Sequence, residues 1–170
     1  MHPSYLADLI DYNYWANRRL WACIEQLSEE QFDRHLDYSI GSIHVQVAHM
    51  MGVEFWWFNF LSTGELIFVT EEDCTNRDTI RTKWDETERM VRDYAARLTP
   101  DELARTVKPS FWDAEQPPIT VALAISHILN HSTDHRAQTL AGLWTVGGPT
   151  TPQDVLFYHF DRAGIAWGNE

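Results

Sequence analysis

Basic residues are scarce in this chain. Its 13 lysines and arginines stand against 25 aspartates and glutamates, giving a formal net charge of −12 with histidines neutral. Such a surface repels a phosphate backbone, which argues against nucleic-acid binding. Cysteine is scarcer still: Cys23 and Cys74 are 2 residues with no Cys-x-x-Cys motif between them, so they read as reduced thiols rather than a zinc knuckle or disulfide framework. No apolar run reaches the ~20 residues that span a bilayer. The most apolar segment, 45–61, is interrupted by Gln46, His49, Glu54 and Asn59 and reads as a buried helix rather than a membrane anchor. The opening MHPSYLADLIDYNYW has neither the basic start nor the unbroken apolar core of a secretion signal, so the expected compartment is the cytoplasm. Repeats and low-complexity tracts are missing as well. What is present, 170 residues of which 44% are hydrophobic, suffices for one domain over 1–170 with a full-sized core.

Within that frame the histidines are unusually placed. His127, His131 and His135 fall at a four-residue spacing in VALAISHILNHSTDHRAQTLAGLW (121–144), which reads as one long helix. Four residues advance ~6 Å and turn ~400°, so each ring sits one turn above the last with an offset of ~40°. Adjacent rings, 127/131 or 131/135, can address one ion. His127 and His135, ~12 Å apart, cannot both reach a metal whose nitrogen ligands lie at ~2.0–2.1 Å. Any ion held by this helix therefore needs a ligand from another segment. Asp134 and Gln138 share the face, and an Asp there suits the carboxylate that commonly accepts the other N–H of a ligand imidazole.

The remaining chain carries helical spacing almost throughout. A first helix is expected from Ser4 to about Gln26, with Leu6, Ile10, Leu20 and Ile24 on one side and Asn13 and Asn17 read as the edge of that stripe. Ser28 and Gln31 form a capping box for a short turn. The second helix runs from Ile43 to about Leu61. It carries His44 and His49, ~140° apart and each on an apolar stripe, so both stand as candidates for the further ligand, with His49 slightly favoured by its deeper stripe. A third helix, Asp78 to Leu98, shows the four-three seam of a bundle in Ile80, Trp84, Thr87, Val91 and Tyr94. A small hairpin is expected around Thr106 to Trp112, Gly147-Gly148-Pro149 stops the histidine helix, and a last helix from Gln153 to Arg162 should pack Val155, Leu156 and Phe160 on the bundle. Glu54, Asp134, Tyr12 and Tyr14 are acid–base candidates that no spacing singles out. Cys23 falls in a buried helix and is not read as a nucleophile.

DYNYWANRRL in the first helix, GSIHVQVAHMMGVEFWW in the second and HILNHSTDHRAQ in the fourth, in that order, resemble the DinB/YfiT-like family of metalloenzymes, and the match extends to the PQD segment near the C-terminus. The resemblance implies an all-α four-helix bundle in up-down-down-up order, with short extra helices and one divalent ion held by His49, His131 and His135. It also implies, by similarity to relatives, a homodimer and a thiol-dependent transferase that joins a low-molecular-weight thiol to an electrophile. The alternatives are a metal- or ligand-binding stress-response module without turnover and a metal-dependent hydrolase. Ala137 departs from the glycine that often follows the arginine in this family. Zinc and nickel are the first metals expected for imidazole ligands and iron the next. His127 is read either as an outer partner of the site or as a hydrogen-bonded core residue.

Overall fold

In the computed structural model, which describes residues 2–167, seven α-helices, one 3-10 turn (Glu71–Cys74) and one two-stranded ladder are present. The four long helices are α1 (Pro3–Ile24), α3 (Ile43–Thr63), α4 (Arg77–Ala95) and α6 (Val121–Thr145); the short ones are α2 (Glu29–Asp33), α5 (Pro100–Ala104) and α7 (Val155–Arg162). Each long helix starts on a side chain that accepts from an orphan backbone N–H: His2, Ser42, Asn76 and Thr120. Gly64, at φ 80, closes α3 in the left-handed conformation that side chains resist. The Ser28–Gln31 capping box is present at α2.

Helix directions follow from which residues meet. Gln46 pairs with Gln138, while Arg105, whose carbonyl accepts from the Val121 N–H at the start of α6, bonds the Leu61 carbonyl through its guanidinium, so α3 and α6 are antiparallel. Asp11 and Arg18 of α1 meet Arg92 and Glu88 of α4, again antiparallel. Glu54 meets Trp84 and Phe58 meets Tyr94, so α3 and α4 run parallel. The order is up-down-down-up. Two consecutive parallel helices need a return, and residues 64–76 provide it: Phe68 reaches Trp56, Val69 lies by Gly52, and the Cys74 carbonyl is bonded by His44, in reverse order along α3.

Several details differ from expectation. The ladder is β1 (Thr106–Val107) with β2 (Ile119–Thr120), Thr106 opposite Thr120, so the hairpin encloses 108–118 rather than closing by Trp112. Pro117 and Pro118 force extended backbone just before β2, which moves the pairing outward. Helix α7 leaves Val155 and Leu156 each 54% exposed. It docks on α1 through Tyr158, 5.9 Å from Tyr12 and 5.8 Å from Trp15, and through Asp161, which accepts from Trp15 Nε1 at 2.8 Å.

Asn13 and Asn17 are not at a stripe edge; they are 1% and 2% exposed, in the centre of the bundle. Asn13 Nδ2 donates to Glu54 Oε1 at 2.8 Å, and its carbonyl accepts from Arg136, which also donates to Asn17 Oδ1 at 3.1 Å. Trp84 Nε1 donates to the other Glu54 oxygen at 3.1 Å. A buried carboxylate and a buried guanidinium are thus joined through one amide, linking α1, α3, α4 and α6. Deleting Glu54 strands the Arg136 charge, which is far costlier than the pair is stabilising.

Burial pushes Glu54 up to about 7, against the bond from Trp84 and the charge of Arg136, which pull it down. The unfolded carboxyl ionises near 4.5. Between these values the folded chain binds more protons, so this contribution is full at low pH and lost as pH rises through the folded value. In chelator-treated protein, urea unfolding at about pH 5 and pH 8 should show wild type losing more stability than Glu54→Gln, by up to roughly 3 kcal/mol. Equal losses would mean that Glu54 ionises as easily folded as unfolded.

Candidate metal centre

Antiparallel packing sets His49, in the first half of α3, opposite the second half of α6. His131 and His135 lie one turn apart on that helix. One nitrogen from each of His49, His131 and His135 lies within 4.8 Å of the other two, a group able to hold a metal ion. Ring centroids stand 5.1 Å apart for His49–His131, 4.7 Å for His49–His135 and 4.3 Å for His131–His135. The Nε2 atoms of His49 and His131 are 3.2 Å apart. Two nitrogens on one tetrahedral ion at ~2.0–2.1 Å would stand ~3.3–3.4 Å apart, so this pair has the required spacing.

The rotation of α6 is what aims these rings. Successive helical residues are ~100° apart. Arg136 is pinned against α1 by Asn13 and Asn17, so His135 beside it faces α3. Burial depresses the basicity of all three histidines, and neighbouring imidazoles add to this for His49 and for His131, which falls to about 4. Neutral rings are the form in which imidazole ligates.

The tautomer of His135 follows from a chain of amides. Asp134 has only acceptors, so Gln138 Nε2 donates to it at 2.9 Å, which turns the Gln138 carbonyl toward Gln46 Nε2 at 3.3 Å. Ser39 donates to the same carbonyl. Gln46 Oε1 then faces His135 Nδ1 at 2.9 Å, and only a protonated Nδ1 satisfies it. Nε2 is left with its lone pair toward the cluster. The outer partner expected in Asp134 is therefore Gln46, and the exposed Asp134 acts two amides away. The available signal was a glutamine three residues before His49 in an apolar helix.

The other histidine candidates lie elsewhere. His44 has Nδ1 2.7 Å from Asp33 Oδ1 and Nε2 2.6 Å from the Cys74 carbonyl, and its ring stacks on Phe32 at 4.9 Å. Both ring nitrogens are taken up by these partners, and His44 is outside the three-histidine group. His127 is exposed and edge-on to Trp57 at 5.8 Å, outside the three-histidine group. The Cys23 and Cys74 thiols are buried, 5% exposed each, and burial raises both above the usual thiol value. Tyr14 is likewise buried and held well above the ordinary tyrosine value by desolvation and by Glu54.

Replacing an outer partner of a ligand histidine typically costs 10–100-fold in metal affinity. Gln46→Ala should weaken zinc binding by roughly that factor, whereas Gln46→Glu, which keeps an acceptor, should stay within about 3-fold of wild type. Competition with a chromophoric chelator measures both; an unchanged constant for Gln46→Ala would remove the tautomer argument.

Comparison with known proteins agrees with this architecture. Protein DinB of Bacillus subtilis (strain 168) is 23% identical over 158 residues, which cover 89% of this chain and 92% of that protein. The profile of the DinB family matches residues 1–167. With its long helices in bundle order and three histidines converging between α3 and α6, the chain belongs to the DinB family.

Proposed function

We propose that His49, His131 and His135 together hold one divalent ion, zinc or nickel before iron, and that the chain is a metal-dependent transferase joining a small thiol to an electrophile. The observation that carries this reading is the convergence of three neutral imidazoles from two helices, with His49 exposed on one side. A closed structural site has four protein ligands, whereas three leave a position for a substrate atom. When bound, a divalent ion supplies a Lewis acid that favours the thiolate over the thiol at neutral pH.

The chain's own residues do the rest. Gln46 holds His135 in the Nδ1–H tautomer, and Arg136 fixes the rotation that aims it. In the overall reaction the thiol loses its proton to solvent and its sulfur lone pair forms the new C–S bond. The bond from carbon to the leaving group breaks, with its electron pair departing on that group. Cys23 and Cys74 are buried and their thiols are held above the usual value, which disfavours the thiolate and leaves the attacking thiol to a substrate.

Elemental analysis of untagged protein should find near one divalent ion per chain, lost in His49→Ala and in His135→Ala. Metal-loaded wild type should then consume glutathione in the presence of chlorodinitrobenzene at least ~10-fold faster than either variant, a difference of ~1.4 kcal/mol in barrier. A stoichiometric ion without thiol consumption across several thiols and electrophiles would favour a binding module. A stoichiometric ion with hydrolysis of an ester or amide would favour the hydrolase.

A further inference from the structure

The return segment 64–76 does not lie flat on α3. Between them is a pocket of about 660 Å³, within the range of small-molecule sites. Val45, Ala48 and Val53 of α3 face Val69 across it, and Trp56 and Phe68 close one end with ring centroids 5.7 Å apart. Phe111, from the loop between β1 and β2, backs that wall at 5.7 Å from Trp56 and 6.1 Å from Phe68. At another point the lining includes His49, and of the three converging histidines His49 is the one that lines it.

His44 and both threonines of this pocket are already engaged by neighbours. His44 is bonded through both nitrogens to Asp33 and to the Cys74 carbonyl. The Thr70 hydroxyl donates to Asp73, and the Thr75 hydroxyl accepts from Asn76. Among the described residues no aspartate, glutamate, lysine or arginine lines the cavity. Away from the ion at His49, a charged body would therefore lose its hydration without gaining a counter-ion, which is costly, while an apolar ring would gain by leaving water.

On the transferase reading above, we infer that this pocket seats the electrophilic substrate and selects an uncharged molecule with an aromatic or similarly apolar body. The ring rests against Trp56 and Phe68, and the reactive end reaches the metal centre at His49. Gly52 lies midway along the floor; a Cβ there would stand 3.7 Å from the Val69 Cβ, ordinary contact, so a larger side chain fills the cavity without clashing at its root. Leucine also has the higher helix propensity.

The test uses N-phenyl-1-naphthylamine, an uncharged aromatic probe that brightens on leaving water, titrated into full-length protein with metal content measured alongside. Wild type should bind it saturably at one site. Gly52→Leu should bind at least ~10-fold more weakly while keeping its metal content, and Phe68→Ala, a change at a half-exposed position that spares the core, should weaken binding by roughly 3–10-fold, consistent with the loss of one aromatic contact. In chelator-treated protein, anilinonaphthalene sulfonate, similar in its ring system but anionic, should bind more weakly than the neutral probe. Unchanged binding in both variants, or a preference for the sulfonate, overturns the assignment. Absence of any metal from wild type with probe binding intact would instead overturn the transferase reading, so the two failures are distinguishable.

Discussion

The bonds that join Glu54, Asn13 and Arg136 across the middle of the bundle are the constraint on which the rest turns. A carboxylate and a guanidinium, each 1% exposed, would be prohibitively placed without partners. The Asn13 amide meets both, donating to one and accepting from the other. Because Arg136 can reach Asn13 and Asn17 only with that side of α6 against α1, the adjacent His135 and the preceding-turn His131 must face α3. The metal centre is then a consequence of how the core satisfies its charges, and its aim is set by residues that touch no ion.

The second constraint is topological. Placing α3 and α4 parallel obliges the chain to travel back along the bundle, and that return segment leaves a cavity because α3 presents a mixed face of Val45, Ala48, His49, Gly52 and Trp56 to it. His44 ties the segment at one end through the Cys74 carbonyl, and Phe68 ties it at the other through Trp56. One element, α3, therefore contributes the buried carboxylate on its inner face, a histidine at the seam with α6 and an apolar cavity wall on its outer face. Its near-absence of a polar side reflects these three duties.

Much of this was legible in the amino-acid order. Helical spacing gave the four long helices to within a few residues, because their apolar stripes are long and their caps are side chains with one purpose. The four-residue histidine spacing limited any shared ion to an adjacent pair plus a ligand from elsewhere. Periodicity left the pair open, as it did the choice between His44 and His49. The face of His49 proved to be the half-open one, with Val45 46% exposed, since the return segment covers it loosely. What removes His44 is a carboxylate 11 residues before it and a carbonyl 30 residues after it, contacts that exist only in the folded chain. Asn13, Asn17 and Glu54 are hidden for the same reason: alone, each is an interruption of an apolar stripe, and only the Asn13–Glu54 bond, across 41 residues, and the bonds of both asparagines to Arg136, across 119 and 123, let them be buried. Asp134 was the obvious outer partner by sequence proximity, but it points to Gln138, and the amide of Gln46 on the facing helix takes the role.

The central claim is that three imidazoles from α3 and α6 hold one ion and leave a position open. X-ray absorption spectroscopy of metal-loaded protein tests it most directly, because outer-shell scattering counts imidazole rings and the nearest shell separates nitrogen or oxygen from sulfur. The account predicts three imidazoles and at least one further light ligand, which gives way to sulfur when a small thiol is added. A first shell without imidazole, or a sulfur ligand before any thiol is added, would contradict it.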